Sequence, residues 1–385
     1  MKLSWACCSL AWWYLMSAQA LSQSLTAGTG VFTYADYSPL SNRPVQVFYH
    51  IPPGNVQDMP VLFAFHGEER DAENYRNTWI AAANQHKFMV VAPEFSTTYY
   101  PGGNFYNLGN VFTNGENPTL PGLQPDSVWT FSLIDPLFLH LKAQTGTSAD
   151  GYLAFGHSAG AQFLHRFVII KPQSLMLEAY CANAGWYTVP DANITFPYGL
   201  RISPVNEAQV KQAFAKRLTV MLGKLDNNPN AAGLRRNEQA DAQGIHRLAR
   251  GKHFFAQSQG IATNLQTLFN WRIFEVEGVG HSQSLMATNT LPILLQTSVE
   301  DKLEQPKVSI FYAEGCLQVE GLFPGEGFSL TAVAGNGQVV WNNEQYFTQD
   351  QKIRWHAEKS GIYIIKLLSA TGRSAFVRII GSGKQ

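Results

Sequence analysis

The stretch Gly156-His157-Ser158-Ala159-Gly160 decides how this chain is read. An apolar run, Tyr152 to Phe155, precedes it, and a helix-like run, Ala161 to Ile170, follows it. A strand that turns sharply into a helix lifts one serine hydroxyl clear of a sheet, and the tight backbone leaves no room for side chains two residues to either side. Gly156 and Gly160 supply that room. A bare G-x-S-x-G also recurs by chance as a glycine-rich turn, so the flanking strand and helix carry the reading.

An elbow serine is inert until a base takes its proton. In this arrangement an acid and then a histidine follow the serine along the chain, each in a loop beyond a strand. Leu218 to Leu222 is a short apolar strand that runs into Gly223-Lys224-Leu225-Asp226, which makes Asp226 the expected acid. Asp191 and Asp241 are rival carboxylates, but neither follows so clear a strand. Trp271 to Val276 alternates as a buried strand and leads to Gly278-Val279-Gly280-His281, which makes His281 the expected base. Upstream, Val61 to Phe65 is a buried-strand run ending in His66-Gly67-Glu68. The loop after that strand offers one backbone N–H to an oxyanion, and the residue after the nucleophile offers the other. Glu68 and Ala159 are therefore the expected backbone donors. A carboxylate at Glu68 would oppose an oxyanion unless it points away or pairs, and Arg70 is the cation beside it in sequence. His66, His157 and His165 are expected to shape turns and pack rather than react.

The chain of 385 residues exceeds one typical domain, so a second unit is expected beyond the one carrying Ser158. Lys plus Arg and Asp plus Glu number 28 each, which argues against a nucleic-acid partner, since phosphate binding needs clustered positive charge. One cluster stands out, Arg235, Arg236, Arg247, Arg250 and Lys252, and its pattern reads as a solvated helical face. Residues 1–20 carry Lys2, an apolar stretch from Trp5 to Met16 and the small-residue exit Ser17-Ala18-Gln19-Ala20, the pattern of a secretory signal peptide. Cys7 and Cys8 leave with it, so Cys181 and Cys316 imply no disulfide framework. No other stretch is long and apolar enough to span a bilayer. There is no His-Glu-x-x-His, no paired-cysteine spacing and no phosphate-binding glycine loop, so neither a metal nor a cofactor is expected.

Val45 to Ile51, Val61 to Phe65 and Phe88 to Ala92 read as strands with a helix from Ala72 to Gln85 among them, the alternation of a mostly parallel sheet covered by helices. Between that region and the elbow, Tyr99 to Pro125 is long and rich in Gly, Asn and Pro, with Tyr99, Tyr100, Phe105, Tyr106 and Phe112. Long loops of this kind are uncommon unless functional, and the sequence places this one as a wall of a substrate cleft. Trp186 and Tyr187 are a second aromatic pair expected beside the acyl group. Residues 298–307 turn charged and suit a linker, and seven short β-rich runs from Val308 to Ile380 predict a small β-sandwich over 308–385. The expected fold class is thus α/β over 21–297, with helices on both faces of the sheet, followed by a C-terminal β-sandwich.

The segments FHGEERDAENY (65–75), VVAPEF (90–95), GHSAGAQF (156–163) and EGVGHS (277–282) resemble secreted α/β-hydrolases of the poly(3-hydroxybutyrate) depolymerase-like esterase group. The likeness covers Val45 to Leu295. It implies ester hydrolysis through a serine acyl-enzyme, small or polymeric ester substrates, and Ser158, Asp226 and His281 as the triad. Members of that group often carry a cysteine after the His-Gly pair, where Glu68 stands here. Gly335-Asn336-Gly337-Gln338-Val339-Val340, Ser360-Gly361-Ile362-Tyr363 and Phe376-Val377-Arg378-Ile379-Ile380 resemble the C-terminal sorting domain of the type IX secretion pathway, which implies secretion machinery as a partner and a secreted or cell-surface location. A carbohydrate- or polymer-binding module is the competing reading of that domain. Two further functional classes stay open: a peptidase or acyltransferase with the same triad, and a non-catalytic protein that holds a polymer.

Overall fold

A computed structural model describes residues 25–303 and, beyond them, 309–313, 316–320, 327–335, 338–347, 352–357, 359–369 and 374–382. The leader expected at 1–20 lies outside the described residues. Eight strands form the main sheet: β1 (Gly28–Tyr34), β2 (Val45–Ile51), β3 (Val61–Phe65), β4 (Met89–Glu94), β5 (Tyr152–His157), β6 (Met176–Ala182), β7 (Arg217–Gly223) and β8 (Trp271–Val276). Their order across the sheet is β1-β2-β4-β3-β5-β6-β7-β8. The first two pairings are antiparallel, and from β4 to β8 every pairing is parallel.

The central strands are predominantly apolar because both faces of the sheet are covered. Successive side chains of one strand enter different cores. Phe63 and Phe65 pack with Phe163, Leu164 and Phe167 of α4 (Ala159–Ile170), whereas Leu62 and Ala64 pack with Trp79 of α1 (Ala72–His86). The other helices are α2 (Gly102–Phe105), α3 (Ile134–Thr145), α5 (Glu207–Ala215), α6 (Glu238–Gln243), α7 (Arg247–Asn264) and α8 (Gln283–Leu303). From β3 the chain first runs to β4 on one side, and the later strands build outward on the other, so the sheet order reverses beside β3 and β5. A crevice forms at such a switch point, beyond the carboxyl ends of the strands. The Gly67 and Ser158 loops both leave the sheet there.

Three features depart from the sequence reading. The polar segment before Val45 contains β1, whose GTGVFTY alternates half-buried and exposed residues up to the buried Tyr34, as a sheet-edge strand does. β8 was expected to be a buried strand; it closes the other edge, and only Trp271 and Val276 are buried. Of the segment 298–307 expected as a linker, residues up to Leu303 continue α8, and 304–307 lie outside the described residues. C-terminal to it, β9 (Ser309–Ala313), β10 (Cys316–Glu320) and β13 (Lys352–Arg354) form one antiparallel sheet. β11 (Gly327–Ala334), β12 (Val339–Phe347), β14 (Ser360–Ser369) and β15 (Ser374–Ser382) form a second. Both sheets contribute to one core, with Leu317 and Val319 from the first and Leu330, Ile365 and Leu367 from the second, which is the expected sandwich.

The turn from β5 into α4 depends on two glycines. A Cβ on Gly156 would stand 2.5 Å from the Gly160 carbonyl, and one on Gly160 would stand 2.1 Å from the Phe65 carbonyl oxygen. Both obstacles are backbone and cannot swing aside. Gly160→Ala is therefore expected to lower stability by about 3 kcal/mol through overpacking, read as a fall in the urea midpoint. A midpoint within error of the parent would contradict this packing.

Candidate active site

Ser158 sits between β5 and α4 at φ 56° and ψ −115°, a conformation in which a non-glycine residue is strained. Its N–H donates to the Ala182 carbonyl (3.0 Å) at the end of β6, which holds the strained turn against the neighbouring strand. The Ser158 Oγ lies 3.1 Å from His281 Nε2, and His281 Nδ1 lies 2.7 Å from Asp226 Oδ2. An ionised carboxylate only accepts, so His281 carries its proton on Nδ1 and leaves the Nε2 lone pair facing the serine hydroxyl. Ser158 and His281 reach solvent, whereas Asp226 is 4% exposed. The structure thus brings together the serine, acid and histidine expected from the sequence. Asp191 instead accepts from the Asn193 N–H in its own turn, and Asp241 receives Arg236 and Arg250.

The acid and histidine loops are tied to each other. The Lys224 N–H donates to Val276 O and the Leu225 N–H to Val279 O. Gly223 must be glycine because a Cβ there would stand 2.6 Å from the Val279 carbonyl. The loop after β3 lies beside the serine, since a Cβ on Gly67 would be 3.9 Å from the Ser158 Cβ. Ala159 opens α4, so its N–H belongs to the first-turn donors that have no partner within the helix. The Glu68 carboxylate lies over Gly233 on the Arg247 side, where a Cβ would stand 3.6 Å from Glu68 Oε2 and 4.0 Å from Arg247 Nη2. Arg70 is not directed to it: that guanidinium donates to the Phe95 and Gly102 carbonyls and stacks on the Tyr106 ring, pinning the Glu68 loop to the segment after β4.

The basic cluster is not a solvated helical face. Arg247 and Arg250 are buried, and each cation has a carboxylate from another place in the chain or another turn. Arg247 pairs with Asp226 (3.4 Å), Arg250 and Arg236 with Asp241, Arg235 with Glu116, and Lys252 with Glu275. Sequence spacing shows a helix's own neighbours, not partners that arrive from a distant loop. Arg247 is the site residue the sequence reading missed, and the only signal for it was its place in that cluster.

The aromatic wall is also placed differently. Tyr100, Tyr106 and Phe112 enter the main core rather than a cleft, and the Tyr106 hydroxyl donates to the His66 carbonyl. Trp186 is buried between the guanidinium groups of Arg166 (4.1 Å) and Arg235 (4.3 Å), and Tyr187 is fully buried against Phe254. These rings hold loops down because burial of apolar area outweighs exposure in a wet loop. Tyr99 is exposed and Phe105 half-buried beneath Arg43. Among the described residues, no group of three or more His, Cys, Asp or Glu is placed to hold a metal ion.

Three buried histidines are held in neutral form. His66 accepts the Phe95 N–H on Nε2 and donates from Nδ1 to the Gly67 carbonyl; burial, with Arg70 adding to it, pushes its pKa down to about 3. His165 likewise accepts the Thr188 N–H and is held well below the usual range by burial and Arg166. His157 lies with its ring 4.5 Å from that of His281, and burial, then His281 and Arg247, lower it similarly.

No protein-family model matches the chain. A solved structure of poly(aspartic acid) hydrolase-1 from Sphingomonas sp. KT-1 is 35% identical, with a TM-score of 0.67, covering 70% of this chain and 100% of that one. That of LpqC, a poly(3-hydroxybutyrate) depolymerase from Bordetella parapertussis, is 32% identical with a TM-score of 0.65, covering 71% of this chain and 90% of that one. Poly(3-hydroxyalkanoate) depolymerase C of Paucimonas lemoignei is 28% identical over 133 residues, 33% of this chain, and the match spans 31% of that protein's length.

Two outcomes follow from the site's electrostatics. Because the folded-state pKa values of His66, His157 and His165 lie below the unfolded value of 6.5, the folded chain binds fewer protons than the unfolded one. Their contribution to stability is whole above 6.5 and is lost as pH falls below it, for His66 down to about 3. The slope is up to about 1.4 kcal/mol per pH unit for each histidine; a Tm that is level between pH 7 and pH 4 would refute this. Arg247→Met leaves Asp226 buried with one partner fewer and is expected to lower stability by about 3 kcal/mol, measured by denaturant unfolding.

Proposed function

The chain belongs to the poly(3-hydroxybutyrate) depolymerase-like esterase group of α/β-hydrolases, and on that premise we propose that it hydrolyses carboxylic esters through an acyl-enzyme on Ser158. The hydrogen-bonded line from Asp226 through His281 to Ser158 is the observation that carries this reading. His281 Nε2 takes the hydroxyl proton as Oγ bonds to the ester carbonyl carbon, and Asp226 holds the imidazole in the Nδ1–H form. The oxyanion is met by the backbone N–H groups of Glu68 and Ala159. As the carbon–oxygen bond to the alcohol breaks, His281 returns the proton to the leaving alkoxide. Water, deprotonated by the same imidazole, then attacks the acyl-enzyme and releases the acid. The leader at 1–20 and a sorting or polymer-binding role for the C-terminal sandwich complete the proposal, with export to the cell surface or beyond.

One solved relative is named for poly(aspartic acid), so hydrolysis of an anionic polyamide is the second reading. Holding such a chain requires cations that face the cleft. Here Arg235, Arg236, Arg247 and Arg250 are each paired with a carboxylate, and Arg70 is held by two carbonyls. An anionic substrate would have to displace those partners, which supports a neutral ester instead.

Intact-mass analysis after exposure to a fluorophosphonate tests the nucleophile. A single adduct is expected on the parent chain and none on Ser158→Ala, whose kcat on a short-chain ester should fall at least about 10⁴-fold. A parent chain that takes no adduct would refute the acyl-enzyme. Turnover of poly(aspartic acid) without turnover of short-chain esters or poly(3-hydroxybutyrate) would replace the ester by the amide.

A further inference from the structure

We propose that Asn183 is a positioning residue that sets the register between the acid loop and the histidine loop, and through them the approach of His281 to Ser158. This rests on Ser158, His281 and Asp226 acting together as proposed above. Asn183 follows β6 directly and is buried. Its side chain bridges two separate loops: Oδ1 accepts the Gly223 N–H (2.8 Å), at the start of the turn that ends in Asp226, and Nδ2 donates to the carbonyl of Gly280 (2.9 Å), the residue before His281. Its own N–H donates to the Met221 carbonyl on β7 (3.0 Å), which fixes the backbone from which the amide reaches out. The preceding residue, Ala182, accepts the N–H of Ser158. Two consecutive residues at the end of one central strand thus hold the backbones of all three loops.

The choice of residue type supports a role beyond packing. Asn183 has φ 49°, in the left-handed region, where glycine would be less strained. Asparagine tolerates that conformation and also offers an acceptor and a donor on one short arm. Aspartate, of the same shape, would accept from Gly223 but would set a carboxylate oxygen against the Gly280 carbonyl. Leucine would leave both backbone groups without partners in a buried place. The two bonds act on the atoms that matter: small displacements between a base and a nucleophile cost large factors in rate, about 10²-fold for a misplacement of about 1 Å.

The test compares the parent chain with Asn183→Gly and Asn183→Asp by fluorophosphonate labelling rate, kcat and KM on a short-chain ester, and Tm. Asn183→Gly keeps the left-handed backbone without strain and sets no charge against the Gly280 carbonyl, so it is the variant to read should the buried aspartate not fold. The expected result is labelling and kcat reduced about 10- to 100-fold in both variants, with KM within about twofold of the parent. Labelling of folded Asn183→Gly at the parent rate would overturn the proposal, as would a lowered Tm with an unchanged labelling rate, the signature of a purely structural residue. Labelling needs an activated serine but no particular ester. A parent that labels but cleaves no ester therefore refutes the ester reading while the effect of Asn183 is still measured, and a parent that does not label overturns both.

Discussion

Gly160 lies so close to the Phe65 and His66 carbonyls that no side chain can stand between the start of α4 and the end of β3, and the site is built out from that contact. It draws the helix onto the neighbouring strand, and the link from β5 to that helix then closes only by forcing Ser158 to positive φ. The strain is held by a hydrogen bond to Ala182 and by a sheet buried on both faces, which leaves the segment no alternative path. Placing the Ser158 hydroxyl above the sheet and placing Gly67 and Glu68 beside it are consequences of one close approach.

The remaining parts of the site arrive on loops, and loops need independent fixing. Arg70 ties the Glu68 loop to the carbonyls of Phe95 and Gly102, while His66, kept neutral by burial, holds the Phe95 N–H from beneath. The acid and histidine loops are stitched by Lys224, Leu225 and Asn183. Arg247 lies on the far side of Asp226 from His281, so the buried carboxylate has a charged partner on one side and the imidazole on the other. A buried ion left with one partner is costly, which ties the acid to α7 as well as to the histidine loop. The long loop after β4 serves the same scaffold: its Tyr100 and Tyr106 fill the main core, and Glu116 on it clamps Arg235 above Trp186.

Much of this was legible in the linear chain because it depends on local rules. Continuous apolar runs of four to eight residues mark strands buried on both faces, glycines two positions either side of a serine mark the elbow, and acid and histidine follow in order after strands. The edge strand β1 was missed because its alternation is diluted by glycine and threonine, and β8 was read as buried because alternation does not distinguish an edge from a centre. The arginine cluster was misread for a related reason. Spacing along α7 is the same whether its cations face water or a distant carboxylate such as Asp226.

The sequence by itself determined which residues could do the chemistry: one serine that glycine spacing frees from its neighbours, one histidine and a short set of carboxylates, of which Asp226 alone follows a clear strand. The tertiary structure alone decided which carboxylate meets His281, which aromatics are core and which are surface, and which arginines are neutralised. Those outcomes depend on contacts between segments far apart in the chain, such as Glu116 with Arg235 or Asn183 with Gly223 and Gly280, and on whether burial leaves room for water. Periodicity is a property of neighbours in sequence; pairing and desolvation are properties of neighbours in space.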